Sequence, residues 1–174
     1  MNGLKTDLRL LILSKKVNSK DLEKKVKQFT IELAYKKGYV CSVDVLLKLG
    51  FLSEKLLQDW RLGKIPYLEK ACQTNLHKLS SVNRLIRKYS AELDFEASWT
   101  GYNKWGKGPK KRLFFSKSQD PMIESLYATH FLDKKRICEL NMEKKKKSSS
   151  LQITETKNQE TNSLTDDKIN ATTT

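Results

Sequence analysis

Short helical lengths, the first three closed by a glycine or proline, set the limits on what this chain can fold into. Leu22, Val26, Phe29, Leu33 and Ala34 recur at helical spacing from a cap at Asn18 or Ser19 until Gly38. Ser42 opens a second length with Val43, Leu46 and Leu47 apolar and Gly50 as its stop. Ser53 opens a third, Glu54 to Leu62, before Gly63 and Pro66 break the pattern. A fourth is expected from Pro66 to about Thr74, and a fifth from Ser80 or Ser81 to about Leu93, with Asn75 to Leu79 as the connection. Val82, Leu85, Ile86, Tyr89 and Leu93 form the apolar face of that fifth helix, while Arg84, Arg87 and Lys88 fall nearly opposite. Asp120-Pro121 starts a sixth, with Ile123, Leu126, Tyr127 and Phe131 as its buried stripe, expected to run to about Met142.

One stretch is not helical in character. Between Glu96 and Asp120 no acidic residue occurs, while Lys104, Lys107, Lys110, Lys111, Arg112 and Lys117 lie among Trp99, Tyr102, Trp105, Phe114 and Phe115. Gly106-Lys107-Gly108-Pro109 divides two aromatic-rich runs, which predicts a β-hairpin at about 98–116. Alternation would put Trp99, Gly101, Asn103 and Trp105 on one face and Thr100, Tyr102 and Lys104 on the other. The tryptophan face is the expected core side, which leaves the cations for function.

The resulting fold class is mainly α with one β-hairpin: a leader at 1–18, a helical domain at 19–142 and a polar, disordered tail at 143–174. The net charge is +14; two lysines against four acids from Ser148 onward leave +16 on the residues before it. That excess points to a polyanion as partner, meaning nucleic acid or an anionic membrane surface. The apolar run Leu10 to Leu13 is too short to cross a bilayer. Three scattered cysteines, Cys41, Cys72 and Cys138, make no disulfide framework and suit a reducing compartment, so a soluble cytoplasmic protein is expected.

Metal and catalytic readings are thin. Cys72 and His77 supply one ligand pair with no second pair at zinc spacing, and no cofactor motif is present; the Gly-Lys-Gly of the turn lacks the spacing of a P-loop. Asp120, Glu124, His130 and Asp133 near Lys117 are the one cluster that could serve a metal-dependent phosphodiester-cleaving enzyme. Asp120 is equally a helix cap, and Glu124 and Asp133 fit a solvated helix face.

In element order, residues 66 to 117 resemble a winged helix-turn-helix, with Ser81 to Tyr89 in the place of the recognition helix and the basic hairpin as wing. That resemblance implies double-stranded DNA as ligand, with Arg84, Arg87, Lys88, Lys104, Lys107, Lys110, Lys111 and Arg112 as its contacts and most of these on phosphate. Arg84 and Arg87 are the two proposed for base edges. The segments Asp59 to Glu69, Ser98 to Tyr102, Trp105 to Gly108 and Tyr127 to His130 also resemble parts of uncharacterised basic bacterial proteins, which implies no site residues. A module for an acidic protein partner is the remaining alternative.

Overall fold

A computed structural model describes residues 18–143. The leader at 1–17 and the tail from 144, including the lysine run Lys144 to Lys147, lie outside the described residues.

The first helix, α1 (Ser19–Lys37), buries Leu22, Val26, Leu33 and Ala34, the stripe expected from their spacing. It stops at Gly38, which takes a left-handed φ of 78° and donates its N–H to the Ala34 carbonyl at 2.7 Å. The chain then runs through strand β1 (Tyr39–Cys41) into α2 (Ser42–Lys48) and α3 (Glu54–Arg61). The Ser53 hydroxyl caps α3 by accepting the Leu56 N–H. Trp60 of α3 is fully buried, and its indole N–H donates to the Phe114 carbonyl at 3.0 Å.

The fourth helix, α4 (Leu68–Ala71), is shorter than the expected Pro66 to Thr74. Tyr67 is its cap, and Cys72 is already extended because Gln73 donates its N–H to the Phe51 carbonyl at 2.7 Å. The fifth, α5 (Leu76–Glu92), starts earlier than Ser80. Its cap is Asn75, whose Oδ1 accepts the Lys78 N–H at 2.9 Å. Leu79, one turn before Val82 and Ile86 on the same stripe, is 1% exposed, so the core extends the helix backwards through the expected connection. Along their lengths α1 and α5 pack on each other and form the central helix pair.

The sheet departs furthest from expectation. Strand β2 (Glu96–Trp99) does not pair across the Gly106–Pro109 turn; it pairs antiparallel with β3 (Thr129–Leu132), which also pairs with β1 to give the order β1-β3-β2. The expected sixth helix therefore ends early, as α6 (Pro121–Ala128), capped by Asp120 as anticipated. Thr129 and Phe131 are buried in the central strand, where Phe131 faces both Val40 and Ala97. Two strands flanking a gap outweigh the helical preference of this stretch, because each supplies a row of backbone groups that need partners. A further helix, α7, begins at 134 and runs to the last described residue; the body that carries the fold ends at Arg136.

Candidate nucleic-acid interface

The acid-free segment reverses at Gly106 and Gly108, both with positive φ, as the predicted turn requires. Its arms hold together through Lys104 N–H to the Lys111 carbonyl and Leu113 N–H to the Tyr102 carbonyl, both 2.8 Å, around an antiparallel bridge of Asn103 with Arg112. The expected hairpin is thus present as a short irregular one at 102–113, not as a two-stranded wing over 98–116.

Three anchors fix this segment to the helical body. At the base, Leu68 N–H donates to the Phe114 carbonyl and Glu69 N–H to that of Phe115, at 3.1 and 2.9 Å. Near the turn, Trp105 N–H donates to the Arg61 carbonyl at 2.7 Å, which satisfies an orphan acceptor at the end of α3. The third anchor is Glu124 of α6, which is buried, not on a solvated face as its sequence position implied. Its carboxylate accepts the N–H of Phe115 at 3.0 Å, and the N–H and hydroxyl of Ser116 at 2.7 and 2.8 Å.

The inward side of the segment is aromatic. The Tyr102 ring packs on Trp60, Phe115 and His130, with its hydroxyl 2.9 Å from His130 Nε2 and donating to Cys41 Sγ at 3.7 Å. Burial raises the Tyr102 phenol and lowers the His130 imidazole from their ordinary values. Burial also pushes the Cys41 thiol up to about 12, so no thiolate forms beside this histidine at neutral pH.

The outward side corrects the sequence reading. It is Tyr102 that packs on the core, whereas the two tryptophans are 56% and 46% exposed. Each is covered by a guanidinium. Arg112 lies 5.1 Å from the Trp99 ring centre, and Arg61 lies 4.8 Å from both the Trp105 and Tyr102 rings. Arg61 Nη1 is buried without a hydrogen-bond partner, and burial lowers the pKa of this guanidinium from its ordinary value. Lys104, Lys107, Lys110, Lys111, Arg112 and Lys117 are all exposed. The Lys104 stem packs on Gly63, where a Cβ would lie 3.1 Å from its Cδ.

The other predicted contacts sit elsewhere. Arg84, Arg87 and Lys88 are exposed on α5, yet Arg84 and Lys88 border a groove lined by Ser19, Leu22 and Glu23 of α1. Lys88 pairs with Glu23 at 3.0 Å, and Tyr89 donates its hydroxyl to the same carboxylate at 2.9 Å. The hydrogen bonds from Lys88 and Tyr89 hold the Glu23 carboxyl below the usual range. One acid of α1 therefore meets the basic face of α5, a cancellation that one helix read alone does not reveal. Of the hairpin cations, Lys104 packs its stem beside Gly63, just past α3, and Arg112 lies over Trp99.

The cluster considered for metal-dependent cleavage is occupied by structural bonds: Asp120 caps α6, Glu124 holds 115–116, His130 meets Tyr102, and Asp133 accepts the Arg136 N–H. Among the described residues no group of three or more His, Cys, Asp or Glu side chains is placed to hold a metal ion. No helix among them is long and apolar enough to cross a membrane. In the sequence only its adjacency to Trp60 marks Arg61, and the fold alone brings the Tyr102 and Trp105 rings to it.

What the geometry defines is a mainly helical body with a three-stranded antiparallel sheet, presenting one basic, tryptophan-bearing loop. Comparison with protein families, curated proteins and solved structures finds no match to this chain.

Proposed function

We propose that the protein binds nucleic acid, and that the hairpin at 102–113 with its flanking Trp99 is the contact surface. The observation that carries this reading is the combination of six exposed cations, no carboxylate in the segment, and two exposed indoles on a loop anchored at three points. Cations neutralise phosphates and release counterions, so affinity for any strand should fall steeply as salt rises. The test is a binding titration against salt, with random-sequence duplex and single-stranded DNA. Replacing Lys110, Lys111 and Arg112 together by Ala should lower affinity and make the salt slope shallower by about 2 to 3. Unchanged slope and affinity in the folded variant would move the site elsewhere, and no binding at low salt would end the proposal.

A second reading has α5 enter a groove of double-stranded DNA while the hairpin grips the flanking backbone as a wing. The exposure of Arg84 and Arg87 favours it. On that reading Arg84→Ala/Arg87→Ala weakens duplex binding more than the hairpin variant does. The pairing of Lys88 with Glu23 is the reason to rank it second.

A further inference from the structure

We infer that Trp99 and Trp105 are stacking platforms for unpaired bases, so that the strand taken at the hairpin is single; this rests on the proposed nucleic-acid reading and names its substrate form. Tryptophan is normally drawn inward, and Trp60 in this fold is completely buried. The other two indoles remain 56% and 46% exposed although Leu113 and Phe115 of the same segment are buried. They are not loose. Arg112 and Arg61 each lie within 5.1 Å of an indole centre, and Arg61 is itself seated on Tyr102, so ring orientation is set before any ligand arrives. Gly101 completes the seat of Trp99: a Cβ there would lie 2.8 Å from its Cη2, so the indole rests where any other residue would push it away.

Base faces are reachable in a single strand and hidden by stacking in a duplex, which is why exposed aromatics among cations select unpaired nucleic acid. Lys104, Lys107, Lys110 and Lys111, exposed on the same segment, supply the charges to meet the phosphates of such a strand. An anionic membrane surface also accepts tryptophan and lysine, but insertion needs further bulky apolar side chains exposed beside them. Here Leu113 and Phe115 are 6% and 1% exposed and point to the core.

The test uses the full chain with three probes of equal phosphate number: an oligothymidylate, an abasic deoxyribose strand and a closed hairpin duplex. Intrinsic tryptophan fluorescence and affinity are read together. The oligothymidylate should bind more tightly than the abasic strand and quench the fluorescence. Trp99→Leu and Trp105→Leu should each weaken oligothymidylate binding about tenfold while leaving the abasic strand nearly unchanged. Thermal unfolding of both variants should match the parent, because neither indole is in the core. Equal affinity for the base-bearing and abasic strands, or Trp variants that bind oligothymidylate as the parent does, overturns the inference and leaves phosphate binding standing. Binding to phosphatidylserine vesicles as tight as to oligothymidylate also overturns it. Absence of binding to all three probes overturns this inference and the function on which it rests.

Discussion

Glu124 illustrates how one side chain can decide a local structure. The residue is 3% exposed, and its carboxylate satisfies two backbone N–H groups and a hydroxyl. Replacing it by Ala leaves buried donors unpaired at about 1–3 kcal/mol each, so Glu124→Ala should lose roughly 3 kcal/mol or more in urea unfolding. A loss below about 1 kcal/mol would mean that water replaces the carboxylate. His130 gives a residue-scale prediction in pH. Burial lowers its folded-state pKa below that of the unfolded chain, so the unfolded state takes up the proton first as pH falls. Its contribution is complete above the unfolded value of about 6.5 and declines as pH drops through the folded value. Acid unfolding of His130→Gln should show a weaker pH dependence in that window; an identical profile would assign the effect to other groups. The thiols differ in the same way: Cys41 and Cys72 are both pushed up to about 12 by burial, whereas Cys138 is exposed. A thiol reagent at neutral pH should therefore modify Cys138 in the native protein and the other two only on unfolding.

At the scale of elements, helix boundaries follow caps where a cap and the core agree. Ser53 and Asp120 were legible in advance because each precedes an apolar stripe in phase with it, and both cap the helices that follow. Asn75 is a cap of the same kind as Ser80 and Ser81, which lie nearer the apolar face that begins at Val82; the burial of Leu79 decides between them. Asn75→Ala should cost about 1 kcal/mol of stability, whereas Ser80→Ala, a substitution inside the helix, should cost little; the reverse order would place the helix start at Ser80. The split of the expected sixth helix into α6 and β3 could not be read locally. Tyr127 to Leu132 fits a helical stripe as well as a strand, and the choice lies with β1 and β2, about 90 and 30 residues earlier in the chain.

For the whole molecule, the net charge of +14 acts on the free protein as well as on its ligand. Ion pairs such as Lys64 with Asp59, Lys88 with Glu23 and Lys134 with Glu96 have at least one partner well exposed to solvent, and such pairs contribute little each. Self-repulsion should therefore prevail, so the melting temperature of the free protein should rise as salt is raised from a few millimolar toward physiological strength. Salt should act in the opposite direction on a nucleic-acid complex. A melting temperature that falls with added salt would show that the surface pairs outweigh the repulsion.

Composition and spacing alone determined the charge excess, the helical class, the first helix, two caps and the acid-free aromatic segment with its glycine turn. These depend on residues within a turn or two of one another, or on a sum over the chain. The tertiary structure decided which side of that segment enters the core, that Trp99 and Trp105 stay outside with Arg112 and Arg61 over them, and that Glu23 meets the basic face of α5. Each of these depends on a partner distant in sequence: Tyr102 on Trp60 and His130, Trp105 on Arg61, and Lys88 on Glu23. A period-two pattern separates two faces of a strand; what lies against either face is set by packing.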